Sequence, residues 1–398
     1  MKHVIIGVGA AGISAAQTIR KHRKDDEIVM ISIDEAVISR CMLHKYIGGN
    51  RDVKALAFVE PNFFQNNNII WHSGKKVTDV DAANKTVHFD GGSVNYDKLL
   101  IATGAKSAFP PIEGLKEAAS VYGLRDLSDA EAIRKKAKTA ENIVIIGAGL
   151  VGLDAAYGFV EMSKRPTIID MSSSVLSSNL DQYAADIYHV KFEEAGCNFH
   201  LGNKVINVHR DVIGNVSHIA LDNSEELLCD LLIVSTGIHP ENVLLNGEKP
   251  DKYLNVRDKD IFVAGDASGK TENWLGAVEQ GEVAALNMCG ILTLHDKNFL
   301  QRNTANFFGV ASLSVGQFHA EADDVCDVRQ DKGRYQKLIL RNGIPVGIIL
   351  QGDISRGGFW QHIIKNKINI TDIPKSIWKI SFADAYSLNE NGEYEWVN

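Results

Sequence analysis

The sequence predicts an α/β fold in which one building plan is used twice, followed by a segment of α+β character. Two observations carry this. Val4-Ile5-Ile6-Gly7-Val8-Gly9-Ala10-Ala11-Gly12 and Ile143-Val144-Ile145-Ile146-Gly147-Ala148-Gly149-Leu150-Val151-Gly152 share an apolar strand, a Gly-x-Gly-x-x-Gly turn and a helix start. The buried-strand pattern Lys98-Leu99-Leu100-Ile101-Ala102-Thr103-Gly104 then recurs as Leu231-Leu232-Ile233-Val234-Ser235-Thr236-Gly237, as an internal duplication would give.

Each turn has a physical logic. The first glycine permits the tight turn, the second lets the backbone approach a pyrophosphate, and the third lets helix and strand pack closely. The helix N-terminus then faces the anion. In both copies the next strand ends in an acid. Asp34 follows Ile28-to-Ile33, and Asp170 follows Thr167-Ile168-Ile169. A carboxylate there accepts hydrogen bonds from a ribose diol and repels a 2′-phosphate. With no arginine close after Asp170, the second site favours NADH over NADPH. Two such sites in one chain suggest electron transfer between two bound nucleotides.

The remaining elements follow in order. Val77-to-Asp81, Lys85-to-Phe89 and Val94-to-Tyr96, with an Asp90-Gly91-Gly92 turn, read as a β region with a hairpin. Pro110-Pro111 marks a linker. Ile261-Phe262-Val263-Ala264-Gly265-Asp266 is a strand ending in Gly-Asp, where the chain returns to its first unit. Trp274-to-Asn287 reads as a helix with small residues on one face. In the last segment, Tyr335-to-Leu340 and Val346-to-Leu350 form a hairpin turned at Asn342-Gly343. Trp360, Trp378 and Trp396 fall in the same segment, as core residues or as anchors of a dimer or carrier interface.

Composition narrows the function classes. The chain has 398 residues, long enough for two or three domains, and a net charge of −8 that argues against nucleic acid as a partner. No stretch is long enough to span a bilayer, and the apolar N-terminus reads as a core strand and helix rather than a signal peptide. The five cysteines, 41, 197, 229, 289 and 326, include no C-x-x-C pair. That fits a reducing cytoplasm and excludes an iron–sulfur cluster of the usual spacing. His200, His209 and His218 have no acid or cysteine beside them in sequence. They read as solvated strand residues, and no metal site is expected.

The ordered set of fingerprint, Ala-Thr-Gly, second fingerprint, Ser-Thr-Gly and Val-Ala-Gly-Asp resembles the FAD- and NAD(P)-dependent pyridine nucleotide-disulfide oxidoreductase superfamily. The resemblance implies two Rossmann-like dinucleotide-binding domains of glutathione-reductase type plus a C-terminal α+β domain. The implied divisions are 1–111 (FAD-binding, first part), 112–234 (NAD-binding), 235–303 (FAD-binding, second part) and 304–398 (C-terminal interface domain, a family expectation for homodimers). It implies FAD contacts at Gly7, Gly9, Ala10, Ala11, Gly12, Asp34, Glu35, Arg40, Lys45, Val77, Ala102, Thr103, Gly104, Gly265 and Asp266. NADH contacts are implied at Gly147, Gly149, Gly152, Asp170 and Gly237.

Within that superfamily, Ser39-Arg40-Cys41-Met42-Leu43-His44-Lys45 resembles the Arg-Pro-x-Leu-x-Lys segment of rubredoxin, ferredoxin and nitrite reductase-type flavoproteins. There the lysine lies beside the isoalloxazine and pairs with a glutamate two residues after the second fingerprint. Lys45 and Asp154 occupy those positions here, with aspartate one methylene shorter. His44 is expected to face solvent. The implied reaction is hydride transfer from NADH to FAD, then electron transfer to a small redox carrier, a downstream partner or a small-molecule acceptor. Cys41 stands where that subgroup has proline. It resembles the single redox cysteine of NADH oxidases, peroxidases and coenzyme A-disulfide reductases, so an enzyme using Cys41 is the alternative. A flavin-bearing NADH sensor without turnover is a third reading.

Overall fold

The computed structural model describes residues 1–398 except 242, 246, 257–259, 272, 296–299, 332, 372 and 397–398, and the side chains of Tyr394 and Trp396 also lie outside the description. The chain divides into two compact units. One comprises 1–147, 154–166 and 205–297, the other 148–153, 167–204 and 298–398.

The first unit is organised by a six-stranded sheet. Its spatial order is Asn255–Val256, Ile261–Val263, Lys98–Ile101, Lys2–Ile6, Glu27–Ile31 and Ile69–His72. All neighbours run parallel except the Asn255–Val256 edge. The strands are almost continuously apolar because both faces are covered. Ile5, Met30, Leu100 and Phe262 point to one buried layer, and Val4, Ile6, Val29, Ile31, Leu99 and Ile101 to the other. The first layer is closed by the Ala10–His22 and Trp274–Met288 helices. A Cβ on Gly281 would strike the Ala11 carbonyl, so only glycine permits this helix approach. The opposite layer takes Val87 from a three-stranded antiparallel sheet, Val77–Asp81, Thr86–Phe89 and Gly92–Asn95. That is the β region expected from sequence.

The same unit holds Ile143–Ile146, paired in parallel register with Leu231–Val234, which pairs in turn with Val121–Tyr122. It also holds a second three-stranded antiparallel sheet, Val205–Arg210, Val216–Leu221 and Glu226–Leu228.

In the second unit, Thr167–Asp170 pairs in parallel with Asn198–Leu201. A five-stranded antiparallel sheet follows, in the order Arg302–Phe307, Val310–Gly316, Ile344–Gln351, Arg334–Arg341 and Val325–Asp331. Its central hairpin turns at Asn342 (φ 51°) and Gly343 (φ 78°), the left-handed pair that an Asn-Gly turn supplies. The Gly357–Lys365 helix lays Phe359, Trp360, Ile363 and Ile364 on the core of this sheet. Trp360 and Trp378 meet edge to face at 5.8 Å and are both buried, so core packing is their role. The side chain of Trp396 lies outside the described residues.

Candidate functional site

The first glycine turn is shaped by sterics. Gly7 has φ +110°, and a Cβ there would collide with the Ala102 carbonyl. Gly9 has no atom within 4 Å of where a Cβ would stand, and the Ala10–His22 helix starts at Gly9 without a side-chain cap. Its first N–H groups are left to an outside acceptor. An open glycine and uncapped donors at a helix N-terminus fit a pyrophosphate.

Around this turn the other expected residues converge. Ala102 N–H bonds back to the Ile6 carbonyl, and the Thr103 hydroxyl donates to the Glu241 carbonyl at 2.6 Å. The Asp34 carboxylate accepts from Arg40 at 3.0 Å. Glu35 lines a cavity of about 500 Å³ with Val37, Val53, Glu60, Phe64 and Trp71, whose floor includes the stacked Phe64–Trp71 pair at 4.3 Å. Val77 opens the Val77–Asp81 strand. Asp266 lies in the short helix after Ile261–Val263 and forms an ion pair with Arg125, whose Nε also donates to the Ala105 carbonyl at 3.1 Å. Gln280 accepts from Gly265 N–H and the Ser268 hydroxyl, both at 2.9 Å. Its buried Nε2 donor has no hydrogen-bond partner among the described residues. A spare buried donor beside the Gly-Asp turn also fits a polar cofactor tail. Sequence reading missed Arg125 and Gln280, because neither belongs to a motif.

The segment that holds Cys41 and Lys45 folds as a short helical turn, Arg40–Met42, followed by the Leu43–Ile47 helix. It packs on the C-terminal part of the Leu150–Glu161 helix, where a Cβ on Gly158 would stand 2.8 Å from the His44 carbonyl. Asp154, Tyr157 and Glu161 are spaced i, i+3 and i+7, one stripe of that helix. Lys45 Nζ bonds to Glu161 at 3.1 Å and lies 4.4 Å from the Tyr157 ring centroid. The lysine thus pairs with Glu161, two stripe positions further along than Asp154. The i+7 spacing from Asp154 was the signal that could have found Glu161. His44 departs from expectation: it is buried, and its Nδ1 lies 3.5 Å from Asp154. The amphipathic pattern of a five-residue helix is too short to show which side faces in.

Electrostatics sets the charge state of this cluster. Burial pushes the Asp154 carboxyl up to about 8, against the pull of the Lys45 charge. Burial, helped by Lys45, lowers His44 to about 4. Both are therefore neutral at pH 7. Cys41 reaches solvent, yet burial first and the Asp154 charge second push its thiol up. That is opposite to the fall expected of a cysteine activated beside Lys45.

The second fingerprint repeats the geometry of the first. In the first unit, Gly147 has φ +109°, and a Cβ there would stand 2.5 Å from the Ser235 carbonyl oxygen. In the second unit, Gly149 faces open space, and Asp170 accepts from Ala148 N–H at 2.6 Å and Ser172 N–H at 2.7 Å. Gly152 lies in the first turn of the Leu150–Glu161 helix, and Gly237 has φ +120° with open space beside it.

Residues 1–281 match the family model described as pyridine nucleotide-disulphide oxidoreductase. The chain belongs to the pyridine nucleotide-disulphide oxidoreductase family. Residues 302–368 match the rubredoxin NAD+ reductase C-terminal domain. The NADH-dependent phenylglyoxylate dehydrogenase subunit epsilon of Aromatoleum evansii is 29% identical over 94% of this chain and 93% of its own length. The rubredoxin-NAD(+) reductase of Pseudomonas putida is 28% identical over 74% and 81%. Among solved structures, a NAD-dependent persulfide reductase from A. fulgidus aligns with TM-score 0.82 and 26% identity, covering 94% of this chain and 78% of that one. As a member of this family the protein is an NADH-dependent flavoprotein oxidoreductase, with FAD and NADH as its nucleotides.

Proposed function

We propose that this oxidoreductase delivers electrons from NADH to a one-electron redox carrier or to the redox centre of a larger enzyme, and that Cys41 does not turn over. The observation that carries this reading is the Cys41 thiol. Pushed up chiefly by burial, it stays protonated at neutral pH, and a thiol is a poor nucleophile and a poor electron donor. The rubredoxin-reductase match of residues 302–368 supports the same reading.

When bound, FAD supplies the chemistry that accepts a hydride and releases electrons one at a time. The chain supplies the setting. The turn at Gly7–Gly12 and the Arg125–Asp266 pair would hold FAD, with Arg40, Asp34 and Glu35 toward its adenosine end. Gly147, Gly149, Gly152, Asp170 and Gly237 would hold NADH, and the Asp170 charge would disfavour a 2′-phosphate. Lys45, anchored by Glu161 and Tyr157, would present a fixed positive charge where negative charge develops. Because Asp154 is neutral at pH 7, Glu161 is the acid that pairs with Lys45.

We assign residues 1–111 and 235–303 to FAD binding, 112–234 to NADH binding and 304–398 to an interface domain that pairs two copies. Five unpaired cysteines support a reducing, cytoplasmic setting. No helix among the described residues is long and apolar enough to cross a membrane.

A second reading has its own observation: the Cys41 thiol reaches solvent, as a cysteine that reduces oxygen, peroxide or a disulfide must. Anaerobic titration with NADH separates the two. About two electrons per FAD complete the reduction if flavin is the sole centre, and about four are needed if Cys41 takes part. In the first case Cys41→Ser retains NADH-driven reduction of a one-electron dye. Loss of that activity in the variant overturns the proposal.

A further inference from the structure

His209 and His218 are direct cross-strand partners in the antiparallel pair Val205–Arg210 and Val216–Leu221. Their rings stack at 4.4 Å with an interplanar angle of 14°. Glu226 lies on the third strand opposite Ala220, and Ala220 is two residues along from His218 on the same face. All three side chains therefore leave one side of the sheet, while Val208, Ile219 and Leu221 are buried. Alanine at position 220 puts only a methyl group between the carboxylate and the imidazole. Glu226 Oε2 is 3.9 Å from His218 Nε2, and the Ser217 hydroxyl lies 3.0 Å from His218 Nδ1, which orients the ring with Nε2 outward. One ligand atom from each of the three lies within 4.8 Å of the others. A register irregularity between His209 and Arg210 falls at the site itself, a device that re-aims side chains.

We propose that His209, His218 and Glu226 bind a divalent cation of the Zn²⁺ class on this three-stranded sheet. Two imidazoles and a carboxylate are a recognised donor set for zinc, with the fourth position left to water. Zinc bonds of about 2.0–2.1 Å place tetrahedral ligand atoms roughly 3.4 Å apart. Closing from the observed separation takes side-chain rotation of about 1 Å, which a solvent-facing sheet allows without moving the backbone. The Ser217 hydroxyl, against His218 Nδ1, fixes the imidazole so that Nε2 is free for the metal. The ion ties all three strands together, so its binding raises the thermal stability of the segment 205–228. It also weakens as pH falls, because each ligating imidazole must be unprotonated.

The test is a Zn²⁺ titration of the FAD-loaded protein in competition with a chromogenic chelator, with Co²⁺ as a spectroscopic substitute. One equivalent of Zn²⁺ is expected to bind. His209→Ala and His218→Ala are each expected to lower affinity more than tenfold, and Glu226→Gln by less. Co²⁺ should give tetrahedral ligand-field bands without a thiolate charge-transfer band, and alkylating the exposed thiols of Cys41 and Cys326 should leave binding intact. NADH-driven dye reduction by the histidine variants serves as the folding control. The proposal fails if micromolar Zn²⁺ does not bind, if the double histidine variant keeps wild-type affinity, or if alkylation abolishes binding.

Discussion

The two glycine turns make the same backbone and settle their acids differently. Gly7 and Gly147 sit at φ +110° and +109°, each beneath a carbonyl that excludes a side chain, and Gly9 and Gly149 both face open space. Yet Asp34 is held by the Arg40 side chain, while Asp170 is held by the N–H groups of Ala148 and Ser172. The shape of the turn is dictated by sterics and recurs. The anchoring of the acid is chosen locally. At the N-terminal turn it runs through Arg40, next to Cys41 and five residues before Lys45, so the site proposed for FAD and the segment proposed to act on it share a part. At the second site the acid rests on the backbone of its own motif.

The largest expected effect tests the shared half. Gly147→Ala should cost on the order of 3 kcal/mol of stability, from a strained φ and a clash with the Ser235 carbonyl. Gly149→Ala should leave the thermal midpoint in place, because its Cβ meets nothing in the protein, and should raise the KM for NADH if the proposed nucleotide site lies there. Equal midpoints for both variants would break the distinction between shape and access.

Next comes the segment that holds Cys41 and Lys45. Lys45→Met should slow flavin reduction in stopped flow by roughly a hundredfold, the scale for removing one preorganised charge. Glu161→Gln should slow it less, since the lysine remains and only its anchor is lost. A variant order reversed from this would point to Glu161 as the group that matters.

The contrast between the acids is sharpened by Arg40→Ala. Freed of its partner, Asp34 should retain FAD about tenfold less well, near the 1.5 kcal/mol of one charge-assisted hydrogen bond. The KM for NADH should not move. A matching rise in that KM would show that the two sites are not separately anchored.

The smallest effect is a change of slope. Asp154 is raised to about 8 in the folded chain, so between the ordinary carboxylate range and pH 8 the unfolded state has lost a proton that the native state keeps. Stability therefore falls as pH rises through that window and levels off above it. Asp154→Asn should flatten this fall in the apoprotein. His44, lowered to about 4, works in the opposite sense: stability rises with pH from about 4 to the ordinary imidazole range. An unchanged profile between pH 5 and 8 in Asp154→Asn would show that Asp154 ionises normally.

What could be read from sequence was whatever depends on neighbours along the chain. The glycine turns, the parallel strands with both faces apolar, and the Asn342-Gly343 hairpin are local patterns, and they fold as read. The burial of His44 was not legible, because it depends on where the Leu43–Ile47 helix meets the Asp154-to-Glu161 stripe. Nor were Glu161, Arg125 and Gln280, which reach their partners across more than ten residues or from another strand. The meeting of His209, His218 and Glu226 depends on strand register, and a shift of one residue would have pointed Glu226 away.

The helix Trp274–Met288, locked against Ala11 by Gly281, has a consequence for synthesis. The ribosome releases the Ala10–His22 helix long before its packing partner exists. At about 5–20 residues per second the wait is on the order of ten to fifty seconds. Throughout that interval the first glycine turn stands without the Gly265-Asp266 segment and the helix beside it. On the FAD site proposed above, cofactor capture is thus a late event in the life of each chain, one that a nascent chain stalled before Ile261 is expected not to complete.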